Sequence, residues 1–138
     1  MFKLKSAPGT LTAVAYEAAG KETGRTELSS AKCPYTLAIR PEKSVVKPGE
    51  IVFVPVNIEG ANGIVEANAD REISVTVEGG ELLAFGSANP CTTEEYHVGR
   101  FTSYYGRALA VVRAGESGQL TVTVSAQGGS AAATVKIC

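Results

Sequence analysis

Hydrophobic and polar residues alternate with a period of two along most of the chain. The run QLTVTVSA (119–126) is the cleanest, since Leu120, Val122 and Val124 alternate with polar residues. Side chains of a β-strand point alternately to opposite faces, so each run predicts a strand with one buried and one wet face. The inward positions predicted in the other runs are Leu11, Ala13 and Ala15; Val52, Val54, Val56 and Ile58; and Ile73, Val75 and Val77.

Glycine-containing turns separate these runs, and no stretch keeps the 3.6-residue period of a helix. Short strands joined by such turns predict an all-β fold, an antiparallel sandwich. A single helical turn is expected at TTEEY (92–96), with Thr92 or Thr93 as its cap and Glu95 as the partner of Thr92 in a capping box. The turns are EAAGKETG (17–24), KPGE (47–50), EGANG (59–63), EGGE (78–81), AGESG (114–118) and QGGS (127–130).

Two stretches depart from a regular sandwich. Pro55 interrupts the strongest strand and donates no ladder hydrogen bond, which predicts an edge or a bulge at that point. Residues 1–31 predict a hairpin, and a hairpin alone is marginally stable in water. We therefore expect its inward face to dock on the sandwich or to exchange between copies of the chain.

The composition is that of a folded globular protein. Of its 138 residues, 44% are hydrophobic and 20% charged, and the net charge is −1. This balance argues against nucleic acid and membranes as partners. Three cysteines, Cys33, Cys91 and Cys138, form neither a metal-binding nor a disulfide pattern, and buried thiols are expected. The start MFKLKSAPG lacks the apolar run of a signal peptide, and with the cysteines this favours the cytoplasm.

The segment 86–114 concentrates the residues that could carry chemistry. Glu94 and Glu95 are adjacent, so they would point in different directions rather than face each other across a sugar bond. A nucleophile pair of Cys91 and His97 lacks a recognisable third group to orient it. We therefore expect no catalytic residue, no metal and no cofactor, and we interpret the segment as a structural crossover.

The aromatic residues of this crossover have two interpretations. They could stack on a sugar, or they could pack the long connection against the sheet, and the large area that aromatic side chains bury favours packing. Two glycines, Gly86 and Gly106, are expected where the backbone needs freedom. The aromatic residues are Tyr96, Phe101, Tyr104 and Tyr105.

Two long stretches resemble one protein family. ANADREISVTVEGGELLAFGSANP (67–90) and EEYHVGRFTSYYGRALAVVRAGESGQLTVTVSAQG (94–128) are similar to the C-terminal immunoglobulin-like domain of family 2 glycoside hydrolases, the β-galactosidase group. APGTLTAVAYEAAGKETGRTELSSA (7–31) resembles the last hairpin of the β domain that precedes it in these enzymes. The chain departs from the family pattern at three places: it has KPGE for the family's D-G-x-D, EGANG for its D-x-D/N-G, and SANP for its N-G-N-P, with a glycine lost before Asn89.

The resemblance implies an immunoglobulin-like β-sandwich over residues 32–138, preceded by a hairpin, residues 1–31, that remains from the previous domain. The parent would be a β-galactosidase-like enzyme that hydrolyses β-linked sugars by a retaining double displacement. The family's catalytic glutamates lie in a (β/α)8 barrel that this sequence does not resemble, so none is carried over. The chain would brace other domains of the parent glycosidase or an oligomer interface, with a homo-oligomer forming through the hairpin.

A rival hypothesis is a carbohydrate-binding or adhesive immunoglobulin-like module of a surface protein. In that case the ring faces of the crossover would bind sugar, whereas in the bracing role they would pack against protein. The residues that we assign to sugar or interface contacts are Asn89, Tyr96, Phe101, Tyr104 and Tyr105.

Overall fold

The fold is an immunoglobulin-like, largely antiparallel β-sandwich, as predicted. A computed structural model describes Lys3, Lys5 and residues 7–138. None of these residues is helical, so they include no helix able to cross a membrane. The strands are β1 (Thr10–Tyr16), β2 (Glu22–Ser29), β3 (Tyr35–Ile39), β4 (Val45–Val46), β5 (Ile51–Gly60), β6 (Glu72–Glu78), β7 (Gly80–Gly86), β8 (Arg100–Thr102), β9 (Arg107–Ala114), β10 (Gly118–Ala126) and β11 (Gly129–Ile137).

Two sheets enclose one hydrophobic core. The four-stranded sheet has the order β3-β5-β9-β7, and the five-stranded sheet has the order β4-β11-β10-β6-β8, in which β4 runs parallel to β11. The inward faces predicted for β5, β6 and β10 are confirmed, because their apolar positions lie between the sheets. Fully buried members of this core include Val54, Val56, Ile73, Leu120, Val122 and Val124.

Pro55 lies in β5, an interior strand, at a place where one neighbour has ended. Its carbonyl accepts a hydrogen bond from the backbone N–H of Arg40 (3.1 Å), whereas β3 stops at Ile39. The N and C=O of a strand residue point to the same side, so the absent N–H of Pro55 also faces the end of β3. The strand therefore has the local edge that a proline requires.

The N-terminal hairpin forms a two-stranded sheet of its own. Leu11 pairs with Leu28 on the predicted inward face, yet 52% of Leu11 and 75% of Leu28 are exposed. Ala13 and Ala15, on the same face, are also exposed. The expected docking of this face on the sandwich is therefore wrong, and exchange between copies stays a prediction.

The hairpin joins the sandwich through Asn62. The Asn62 side-chain amide donates to the carbonyl of Ser30 (3.0 Å), and its Oδ1 accepts from the N–H of Lys32 (3.0 Å). The joint thus contains a short set of polar bonds beside Ala31, which is buried. The division into domains 1–31 and 32–138 stays a prediction.

The connection from β7 to β9 crosses between the sheets, which confirms the predicted crossover. It leaves the four-stranded sheet at Gly86, and β8 pairs with β6 in the five-stranded sheet. The helical turn expected at 92–96 is wrong. Thr92 Oγ1 accepts a hydrogen bond from the N–H of Glu94 (3.1 Å), and the Glu94 carboxylate accepts one from the N–H of Thr102 (2.8 Å). Such side-chain bonds replace those that a helix would form.

All three cysteines are free and exposed, so the expectation of buried thiols is wrong. Cys33 precedes β3, Cys91 lies in the crossover and Cys138 follows β11. None of them occupies an inward position of a strand. Burial of a small apolar side chain depends on that placement, which the residue type alone does not fix.

Candidate functional site

An apolar groove of about 620 Å³ lies on the outer face of the four-stranded sheet, beside β7. Leu109 and Val111 of β9 and Ala84 of β7 line the groove. Across the sheet, Val111 pairs with Phe53 and Leu109 pairs with Pro55, and Phe53 is itself 43% exposed. The apolar surface therefore continues from the groove onto β5. Arg107 and Ala108 of β9 also line the groove. The remaining lining residues are Gly86 at the end of β7 and, in the crossover, Ser87, Ala88, Tyr96, Tyr104 and Tyr105.

A tight turn holds Tyr104 and Tyr105 at one end of the groove. Tyr104 and Arg107 exchange two backbone hydrogen bonds, of 2.9 and 3.1 Å. Tyr105 has φ = 50° and Gly106 has φ = 69°. Two positive φ angles are those of a type I′ turn, in which asparagine or glycine is preferred and tyrosine is unusual.

The two tyrosine rings of the turn contact each other. Their centroids are 4.4 Å apart with planes tilted by 59°. The Tyr105 hydroxyl, mainly as a hydrogen-bond partner, raises the pKa of Tyr104. The Tyr105 ring remains 56% exposed, so this turn presents an aromatic surface to the solvent.

Tyr96 closes the groove on the crossover side. Its ring stacks on Phe101 with centroids 5.0 Å apart and planes 10° apart. Its carbonyl accepts a hydrogen bond from the N–H of Phe85 (2.7 Å), which holds the crossover on β7. The ring lies over Gly86, where a Cβ atom would collide with it. Glycine is thus needed at position 86 for space, not for an unusual φ.

The five predicted contact residues separate into three groups. Tyr96, Tyr104 and Tyr105 come together in the groove. Phe101 is fully buried and reaches this surface only by supporting Tyr96. The Asn89 side chain bonds to the backbone two residues further on, where its Oδ1 accepts a hydrogen bond from the N–H of Cys91 (2.9 Å). Their assignment to sugar or interface contacts stays a prediction.

The β9 side of the groove was missed by the sequence reasoning, although the sequence contains a signal for it. RALAVVRA (107–114) is apolar on both faces in its middle, with Ala110 and Val112 inward and Leu109 and Val111 outward. Strands that are covered on both faces have this pattern, whereas strands with one wet face alternate. The pattern thus indicates a surface that is suited to being covered.

Comparison with known proteins identifies the family. The family model for glycoside hydrolase family 2 C-terminal domain 5 matches residues 37–135. This chain belongs to that family. The resemblance found in the sequence is confirmed, and the match begins inside β3, after the hairpin.

Solved structures extend the match of this family 2 C-terminal domain to the hairpin. A family 2 glycosyl hydrolase from Bacteroides cellulosilyticus is 25% identical over 94% of the chain, with a TM-score of 0.85. A beta-glycosidase from Bacteroides vulgatus is also 25% identical over 94%, with a TM-score of 0.79. A beta-glucuronidase from family 2 covers 100% of the chain at 14% identity and a TM-score of 0.82, a likeness of fold alone.

The chain spans only 18%, 17% and 15% of the length of these three proteins. The chain thus corresponds to a small part of each of them. A search of curated proteins returned no match.

The carboxylates weighed as catalytic candidates, and Asp70, have structural partners. Glu94 accepts hydrogen bonds from Thr102, and Asp70 Oδ1 accepts one from the N–H of Gly106 (3.3 Å). Glu95 pairs with His97 at 3.2 Å on an exposed surface. Within the described residues, no group of three His, Cys, Asp or Glu side chains could hold a metal ion.

A second, more polar groove of about 420 Å³ lies where the hairpin meets the sandwich of this domain. Tyr35 and Glu66 line it. A hydrogen bond with the Cys33 thiol is the main cause that raises the pKa of Tyr35 to about 12. The N–H of Asn68 donates to Glu66 (2.9 Å) and lowers the pKa of that carboxyl. The joint therefore combines these hydrogen bonds with apolar lining residues that include Ala31, Ile64 and Val65.

Proposed function

We propose that the chain is a non-catalytic accessory domain of a larger family 2 glycosidase, in which it braces neighbouring domains or an oligomer interface. One observation carries this proposal: 94% of the chain aligns with a family 2 enzyme of which it covers only 18%. Most of such an enzyme lies outside this domain. In this proposal the chemistry of the parent belongs to its other domains, and this one contributes contacts.

The surface of the domain supports a bracing role. Its larger groove is lined mostly by alanine, leucine, valine and tyrosine side chains. The cores of protein interfaces are poor in charged residues and rich in aromatic side chains, and apart from Arg107 this lining has that composition. The exposed apolar face of the hairpin is a second contact surface, for another domain or for a second copy.

The substrate of the parent is a β-linked sugar in this proposal. The sequence resemblance points to a β-galactoside, while the similar structures include proteins named as a beta-glycosidase and a beta-glucuronidase. Galactosides and glucuronides are therefore the substrates to compare first. A retaining double displacement in the barrel domain is the reaction that the resemblance implies.

Turnover of nitrophenyl glycosides tests this proposal. The purified 138-residue chain should release no nitrophenol from β-galactoside, β-glucoside or β-glucuronide substrates. The full-length parent, assayed beside it, should hydrolyse at least one of them. Turnover that follows the 138-residue chain through successive purification steps would overturn the non-catalytic role, as would a parent gene that encodes no glycosidase domain.

The carbohydrate-binding alternative has one observation in its favour. Tyr96 and Tyr105 are 51% and 56% exposed and line the same groove. Calorimetric titration of the 138-residue chain with galactosides and plant polysaccharides separates the two functions. Binding at millimolar or tighter affinity that disappears in Tyr96→Ala would favour the alternative, and the absence of heat favours bracing.

A further inference from the structure

The turn at Tyr105 places an aromatic ring on the surface against the local backbone preference. At φ = 50° the residue lies in the left-handed region, where most side chains are disfavoured and asparagine or glycine is common. More than half of the ring is nevertheless exposed, so burial in the core of this chain does not account for it. Residues that break a local rule concentrate at functional positions.

The groove beside this turn has the character of a protein-binding surface. Leu109 is 39% and Phe53 is 43% exposed on the same sheet face. Ser87 also lines the groove.

The groove also lies at the end of the sandwich where the chain enters. Arg107 pairs with Asn57 and Tyr35 pairs with Gly60, so β9 and β3 begin at the same end of the sheet. The hairpin leads directly into β3 at that end. Two or three strand spacings, roughly 10–14 Å, separate β3 from β9 and β7. Any domain that precedes the hairpin would therefore be tethered close to the groove.

We infer that this groove is the docking site for the domain that precedes the chain in the parent glycosidase, with Tyr105 as its aromatic anchor. The inference rests on the proposed function and names the partner of the accessory domain. Tyrosine and apolar side chains in a desolvated pocket are typical anchors of protein interfaces. A tethered domain has an effective concentration in the millimolar range, which favours it over a second, free copy.

Two variants of the full-length parent test the inference. Tyr105→Asn replaces the anchor with a residue that the turn prefers, and Leu109→Thr makes the groove polar. Both should speed the proteolytic release of this domain from the parent by roughly tenfold or more, as expected for loss of an interface anchor. In the 138-residue chain, Tyr105→Asn should not lower the melting temperature, because the turn becomes less strained.

The matched control is Val45→Thr, the same kind of change at a valine that is 53% exposed on the other sheet. Its release rate should equal that of the wild type. The inference is overturned if the groove variants behave like this control, if they dissociate an oligomer of the 138-residue chain instead, or if they abolish sugar binding. A parent without a glycosidase domain would instead refute the proposed function, independently of these variants.

Discussion

At the scale of single residues, Gly106 beside the groove meets two geometric requirements at once, one of backbone conformation and one of space. Its φ of 69° lies in the left-handed region, and a Cβ atom there would collide with the carbonyl oxygen of Glu66. Its carbonyl also accepts a hydrogen bond from the N–H of Ile58 (2.8 Å). The expectation that position 106 needs backbone freedom is confirmed, and the neighbouring loop adds a requirement for space.

Gly106→Ala should therefore destabilise the chain by about 2 kcal/mol or more, since strain and a backbone collision act together. Urea unfolding of the 138-residue chain measures the change. Gly24→Ala is the matched control, because no atom lies within 4 Å of a Cβ at that strand position and its φ is not positive. If Gly106→Ala unfolds at the same urea concentration as the wild type, the prediction is wrong. The backbone at Glu66 would then move aside for the added methyl group without a loss of stability.

At the scale of elements, the N-terminal hairpin is an amphipathic two-stranded sheet whose apolar face is exposed. Leu11, Ala13 and Ala15 share a face with Leu28, while Thr12 on the other face donates a hydrogen bond to Glu27 (3.3 Å). This alternation is typical of a strand whose apolar face is packed against another surface. In this chain, however, the apolar face is exposed to solvent. Such a face recruits another surface.

We expect the isolated 138-residue chain to self-associate through this hairpin face. Leu11→Lys places a charge on it and should shift the chain toward monomer, as measured by size exclusion with light scattering. Thr12→Lys, one residue away on the opposite face, should leave the association unchanged. If the wild-type chain is monomeric at high concentration, or if both variants act alike, the hairpin does not mediate the contact.

At the scale of the whole molecule, one ion pair makes the stability of the fold depend on pH. It joins Arg40, which follows β3, to Glu59 of β5. The Arg40 guanidinium donates to both carboxylate oxygens of Glu59, and Asn57 Nδ2 donates to one of them (3.0 Å). The Glu59 side chain is only 7% exposed. The hydrogen bonds from Arg40 are the main cause that holds the pKa of Glu59 below its ordinary value.

A lowered pKa in the folded state stabilises the chain above the pKa of an unfolded glutamate, about 4.3. This contribution is lost as the pH falls through the lower folded value. Glu59→Gln should reduce the unfolding free energy at pH 7 by about 1 kcal/mol, since Arg40 is largely exposed. The variant should also show a smaller decrease in unfolding free energy between pH 7 and acid pH, as measured by urea titrations.

The exposed turn variant Glu116→Gln is the control for this experiment. It leaves the Arg40–Glu59 pair intact, so its unfolding free energy at pH 7 should stay close to that of the wild type. If Glu59→Gln shows the same pH dependence as the wild type, the ion pair does not contribute to the acid sensitivity of the fold.

The strands and their buried faces could be predicted because alternation is a local property. The inward residues of β5, β6 and β10 follow from the pleat alone. The site was only partly predictable. The tyrosines stood out by residue type, but their meeting with Leu109 and Val111 depends on a crossover that returns to the four-stranded sheet. The failed helical turn at 92–96 had a similar cause, because Glu94 bonds to Thr102, eight residues away.

The sequence by itself determined the class of the fold, its turns and its family, since periodicity, glycine placement and motif order are written in consecutive residues. The tertiary structure alone decided which apolar faces are covered. Ala13 on β1 and Val54 on β5 carry the same alternating signal, yet only Val54 meets an opposing sheet. Burial depends on what lies across from a strand, and that is a property of distant parts of the chain.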